Sequence, residues 1–85
     1  MASYNVLIKP SAVKELEAIP TKDRARIVKK VRALANEPRP TGCEKLSGRE
    51  QYRLRQGRYR IVYSVSDEEQ TVLIAKIAHG RETYR

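Results

Sequence analysis

Four arginines fall within eight positions of the stretch QYRLRQGRYRIVYSV (residues 51–65): Arg53, Arg55, Arg58 and Arg60. A guanidinium group is a planar fork that can meet two phosphate oxygens at once, and it stays charged at any pH a cell experiences. Such groups stabilise negative charge well and accept protons badly, so a general base cannot be read from them. His79 is the only histidine in the chain, and histidine is the residue type most used for proton transfer near neutrality. A lone histidine at a strand end also serves as a packing residue, so both readings of His79 stand. Tyr84 has the same double character: its ring could stack on a base, or it could pack back on the body of the protein.

The arginines need a scaffold, and the spacing of apolar residues indicates one. YNVLIK (4–9) alternates and reads as a strand ended by Pro10. Ser11 is the expected cap of a short helix in which Ala12, Leu16 and Ile19 share a face, stopped by Pro20. Thr21 is the expected cap of a second helix in KDRARIVKKVRALANEP, with Ile27 or Val28, Val31, Leu34 and Ala35 at helical spacing and cations on the remaining surface. The stretch EPRPTGCEKLSG is too dense in Pro and Gly for a regular element and reads as a loop. QYRLR, RYRIVYSV and TVLIAKIAH then read as three strands of an antiparallel meander, joined at Gln56-Gly57 and at the acidic turn SDEEQ. The fold class expected is α+β, a small antiparallel sheet of about four strands in the order βααβββ with the helical hairpin on one face.

A two-residue turn at Gln56-Gly57 would set Arg55 opposite Arg58, Leu54 opposite Tyr59, Arg53 opposite Arg60 and Tyr52 opposite Ile61. All four arginines then share the open face, while Leu54, Tyr59, Ile61, Tyr63 and Val65 share the helix-covered one. Tyr59 and Tyr63 are accordingly packing residues. Like charges opposite one another are unfavourable, and no acid occurs between Gln51 and Ser66 to offset them. A polyanion running along the open face would.

Composition points the same way. The chain of 85 residues supports one domain, residues 1–85, with 18 Lys and Arg against 10 Asp and Glu and a formal net charge of +8. That excess favours a polyanionic partner, nucleic acid first, and it belongs to the folded body because both halves of the chain are basic. Phe and Trp are absent, so the core should be aliphatic. Cys43 is the only cysteine, which excludes an internal disulfide and a Cys-based zinc site, and no cofactor or metal is expected. No apolar run is long enough to span a membrane, and a cytoplasmic location without membrane contact is expected.

Taken together, KLSG, YRLRQGRYRIVY, the acidic turn and the ending HGRETYR resemble the RelE/ParE superfamily of type II toxins, and the preceding strand and helical hairpin match as well. The resemblance favours the RelE-like branch. It implies a toxin that binds the ribosomal A site and cuts mRNA by attack of the substrate's own 2'-hydroxyl on the adjacent phosphate. The implied partners are the ribosome with its mRNA and a cognate antitoxin, small, acidic and partly disordered. Carried onto this sequence, Arg60 matches the arginine that stabilises the transition-state phosphate, and Arg53 and Arg55 sit where the family's basic residues bind mRNA and assist proton transfer, which the resemblance implies as a catalytic role. Arg58 and His79 belong to the implied RNA-binding set, as does Lys45, which matches the lysine of the KL motif in a structural or RNA-binding role. RelE-like chains often end in a His-Arg-x-x-x-Tyr pattern, in which His79 and Tyr84 fit, whereas Gly80 stands where the arginine is expected and Arg81 follows one position late; the resemblance implies catalytic roles for Arg81 and Tyr84. The HGR ending is also similar to that of ParE-like toxins, which implies the alternative function of a non-enzymatic DNA gyrase inhibitor.

Overall fold

The computed structural model describes residues 3–46 and 50–80. Its elements run β1 (Asn5–Ile8), α1 (Pro10–Glu17), α2 (Thr21–Ala33), β2 (Glu44–Lys45), β3 (Gln51–Gln56), β4 (Tyr59–Ser66) and β5 (Thr71–His79). The strands form one sheet in the order β1-β5-β4-β3-β2, and both helices pack on the same face of it. This is the α+β arrangement that the hydrophobic spacing indicates, with two additions. β1 runs parallel to β5, Asn5 beside Thr71 through Ile8 beside Ile74, so the sheet is mixed rather than wholly antiparallel. Glu44 and Lys45, inside the stretch that reads as a loop, add a fifth strand along β3. Two residues between prolines and glycines show no alternation, which is why the sequence conceals them.

Neither helix uses the hydroxyl cap that the sequence suggests. Pro10 opens α1 behind Lys9, Pro20 occupies the cap position of α2, and no side chain caps either end. Proline at the first helical position already has a helical φ and has no N–H in need of a partner, so it moves the start of α1 ahead of Ser11. Before α2, the Pro20 carbonyl accepts the Arg24 N–H at 2.8 Å, which leaves Thr21 inside the first turn.

The apolar faces of these elements meet in one cluster. Ala12, Ile19, Ile27, Val31 and Leu34 from the helical side close on Leu54, Ile61, Val65, Val72, Ile74 and Ile77 from the sheet. The core is aliphatic apart from Tyr52 and Tyr63, whose rings stack at 5.7 Å. Tyr63 is fully buried, and its hydroxyl donates to the Pro38 carbonyl at 2.8 Å, so the phenol is satisfied inside the core. Burial raises the pKa of this phenol above its ordinary value.

β5 contains an irregularity that the alternation of TVLIAKIAH would otherwise forbid. Ile74 lies opposite Tyr63 and Lys76 opposite Val62, so Ala75 is an extra residue, a bulge. Without it Lys76 would enter the core face and Ile77 would leave it. With it, Val72, Ile74 and Ile77 are all buried and Lys76 is exposed. Among the described residues, no helix is long and apolar enough to cross a membrane.

Candidate functional site

The β3–β4 turn decides where the arginines go. Gly57 has a φ of 61°, and Gly57 and Arg58 are the two residues between paired Gln56 and Tyr59. Glycine at the first central position is the pattern of a type II′ turn, whose twist suits a hairpin. The register expected from a turn at Gln56-Gly57 is therefore corrected by two residues. Arg55 faces Arg60, Leu54 faces Ile61 and Arg53 faces Val62. A shift of two preserves sidedness, because the period of a strand is two. Arg53, Arg55 and Arg60 share the face away from the helices, as expected, while Arg58 moves from the strand to the hairpin tip.

The arginines differ in their surroundings. Arg60 lies on β4 in the middle of the sheet, between Arg55 on one side and Ala78 on the other, and is only 8% exposed. Small neighbours make room for it. At Gly80 a Cβ would stand 3.3 Å from Arg60 Nε and 3.3 Å from the Arg58 carbonyl oxygen, so glycine lets the guanidinium lie against the backbone. Arg55 and Arg58 are exposed, and among the described residues neither is in an ion pair. Arg53 is different. Glu44, its partner on β2, accepts from Nε at 3.2 Å and from an Nη at 3.0 Å. At Arg53 the expectation that no acid offsets the arginines is corrected, by a strand the sequence did not reveal.

Arg55, Gly57, Arg58, Tyr59, Arg60, His79 and Gly80 line a shallow concavity at this end of the sheet. His79 pairs with Tyr59 across β5 and β4, their rings edge to face at 5.7 Å. It therefore sits on the helix-facing side of the strands, at the rim of the concavity rather than among the arginines. Lys45 is not brought to the site: it pairs with Tyr52 on the other face and forms an ion pair with Glu50 at 3.0 Å. Arg81 and Tyr84 lie outside the described residues. Among those residues, no group of three or more His, Cys, Asp or Glu side chains could hold a metal ion. What the concavity offers is fixed positive charge around a recessed guanidinium, suited to a phosphodiester.

At the opposite end of the sheet lies a junction that sequence reasoning missed. Arg39 donates to both oxygens of Asp67 at 3.0 and 2.9 Å, to Glu50 at 2.8 Å and to the Tyr52 hydroxyl at 2.7 Å. Tyr4 donates to the same Asp67 carboxylate at 2.6 Å. One side chain thus ties the loop after α2 to the start of β3 and to the β4–β5 turn, and through Asp67 to Tyr4 just ahead of β1. Arg39 stands between Pro38 and Pro40, and its partners are remote in sequence, so only those prolines marked the position. Arg39 and then Lys45 pull the Glu50 carboxyl down from its ordinary 4.5 to about 2, and Arg39 and then Tyr4 lower that of Asp67. Carboxyls depressed in the folded protein stabilise it above their unfolded pKa and cease to do so as they are protonated. Thermal stability should therefore fall between pH 4.5 and about 2, and Arg39→Ala should flatten that slope. Melting curves across this range check both; an equal slope in the variant would remove Arg39 as its cause.

A comparison with curated protein sequences finds no match. Among solved structures, the toxin–antitoxin complex RelBE2 from Mycobacterium tuberculosis is similar at 28% identity and a TM-score of 0.81, covering 93% of this chain and 93% of that one. The archaeal RelE–RelB complex from Pyrococcus horikoshii OT3 is similar at 28% identity and a TM-score of 0.81, covering 92% of this chain and 96% of the other. The isolated E. coli RelE toxin shares the fold, at 23% identity and a TM-score of 0.81 over 91% of this chain and 84% of that one. The sequence itself matches the family described as the ParE toxin of type II toxin–antitoxin systems over residues 6–84. That match spans nearly the whole chain, both flanks of the arginine concavity included, and the protein is accordingly a type II toxin belonging to the ParE toxin family of the RelE/ParE superfamily.

Proposed function

We propose that this toxin is a ribosome-dependent mRNA endoribonuclease of the RelE kind. The observation that carries the reading is the placement of Arg60, recessed on the open face and flanked by Arg55 and Arg58 with no ion-pair partner for either among the described residues. Attack of the 2'-oxygen on the neighbouring phosphorus makes a five-coordinate species with additional negative charge, and the 5'-oxygen then leaves. The products are a 2',3'-cyclic phosphate and a 5'-hydroxyl, with the 2'-proton lost and the leaving oxygen protonated. A guanidinium held against backbone and shielded from water is well placed to stabilise that charge. Arg55 and Arg58 grip flanking phosphates, and Arg53, held in position by Glu44, offers a further one. Arg81, which follows Gly80 directly in sequence, and Tyr84, four positions after Gly80, would add a cation and a stacking ring, and His79 at the rim is the candidate for moving a proton.

The structural likeness to RelE toxins supports this reading, since two of those complexes exceed a quarter identity over nearly the whole chain. The match to the ParE toxin family keeps a second reading in view, a gyrase inhibitor that makes no covalent change in RNA. Induction of the gene followed by primer extension on cellular messages separates them. New message ends within translated regions are expected. Arrested growth with intact messages, together with inhibited supercoiling by purified gyrase, would establish the second reading instead. An acidic antitoxin segment could cover the exposed cations, and such a chain would fold as it binds. The solved relatives in complex with RelB proteins support a partner of that kind. Co-expression of the neighbouring gene in the same induction experiment should restore growth.

A further inference from the structure

A second concavity, of about 390 Å³, adjoins the arginine site and is lined by Glu15, Ala18, Ile19, Tyr59, Ile77, Ala78 and His79. It opens on the helix-facing side of the sheet, between the end of α1 and the ends of β4 and β5. Tyr59 and His79 line both concavities, so the two are separated by little more than their edge-to-face pair. On one side of that wall stand guanidinium groups. On the other are an aromatic ring, aliphatic carbon and one carboxylate. This is the division of chemistry within a nucleotide, a charged phosphate next to a flat base with polar edges.

The carboxylate is fixed in place. β1 pairs with β5 only as far as Ile74, so the Ile77 N–H points to an edge with no neighbouring strand. Glu15 reaches over from α1 and accepts that N–H at 2.9 Å through Oε1, while Oε2 lies 3.3 Å from Lys76 Nζ. Its remaining lone pairs present an acceptor at the pocket rim. We propose that this pocket receives the base of the nucleotide whose phosphate lies against Arg60, and that Glu15 selects bases carrying an amino group, a role that rests on the nuclease reading of the arginine site. Adenine and cytosine each offer an exocyclic amine to such an acceptor, and guanine offers an amine and a ring N–H. Uracil has carbonyl oxygens where the others have amines, and its single ring N–H lies between them.

Glu15→Gln tests this with the edge of β5 preserved. The Ile77 N–H needs an oxygen, so the carboxamide oxygen keeps the Oε1 position and the NH2 replaces Oε2, turning the acceptor into a donor. Purified ribosomes programmed with messages differing only in the base at the cut should show the amino-base preference of the wild-type protein reduced about five- to tenfold in the variant. Ala18→Leu, at an exposed position on the pocket wall, should lower cutting beside purines relative to pyrimidines by about tenfold. If both variants cut with wild-type base preferences, the pocket does not read the base. A folded Glu15→Gln protein that cuts nothing would also overturn the proposal, because a selector alters choice and not the chemical step. A wild-type protein that cuts no message would defeat the nuclease reading itself, and this one with it.

Discussion

Arg60→Ala is expected to reduce message cutting by about two to three orders of magnitude, the usual cost of removing one preorganised donor to a transition-state charge. The same change should leave the melting temperature within a few degrees of wild type. Arg60 occupies the open face of β4, apart from the aliphatic cluster, and a cation at 8% exposure gives up hydration that alanine has no need of. Arg60→Lys sharpens the test, since it retains a charge but loses the planar fork and the second donor. If lysine restores nearly full cutting, charge alone suffices. If it cuts little better than alanine, the bidentate geometry is what the concavity preserves. A folded Arg60→Ala protein with wild-type cutting would remove Arg60 from the site, and the nuclease reading would lose its main support.

The sidedness of this site was legible in the sequence, and its pairing was not. Alternation of Leu54, Ile61, Tyr63 and Val65 with the cations fixes which residues face the helices, because burial of the apolar set is worth far more than any arrangement of exposed charge. Alternation repeats every second residue, so it cannot distinguish registers that differ by two. The choice falls to Gly57, whose positive φ belongs at the first central position of the turn, where the sequence had suggested the second. Arg58 thereby becomes a tip residue and Arg55 the neighbour of Arg60.

Other features were hidden for different physical reasons. The Glu44–Arg53 pair depends on β2, a strand too short to have a period. The Arg39 junction gathers Tyr4, Glu50 with Tyr52, and Asp67 from three separate segments, and neither composition nor spacing marks such a convergence. Lys45 carries the resemblance to the family motif, yet it stands on the other face beside Glu50, where its charge supports this junction and not the arginine concavity. Gly80 occupies a position at which the resemblance calls for arginine. The backbone of that residue lies against Arg60, so the absence of a side chain there and the recession of the Arg60 guanidinium are two aspects of one packing arrangement.

Loss of activity by unfolding has to be distinguished from loss of chemistry, and Tyr63 provides the contrast. Tyr63→Ala should destabilise the protein by about 3–5 kcal/mol, as other buried aromatic truncations do. At roughly 0.05–0.15 kcal/mol of stability per residue, a chain this small could lose most of its margin. Tyr63→Phe keeps the ring stacked on Tyr52 and removes the hydroxyl with its hydrogen bond to Pro38, so it should cost about 1 kcal/mol. Denaturant titration of the two variants therefore separates packing from hydrogen bonding. Cutting should follow the folded fraction in both, with Tyr63→Phe close to wild type and Tyr63→Ala recovering activity on cooling or on addition of a stabilising osmolyte. Arg60→Ala should not recover under either condition. A Tyr63→Ala protein that stays folded yet inactive would place Tyr63 in communication with the site, and the separation of core face from open face on β4 would have to be abandoned.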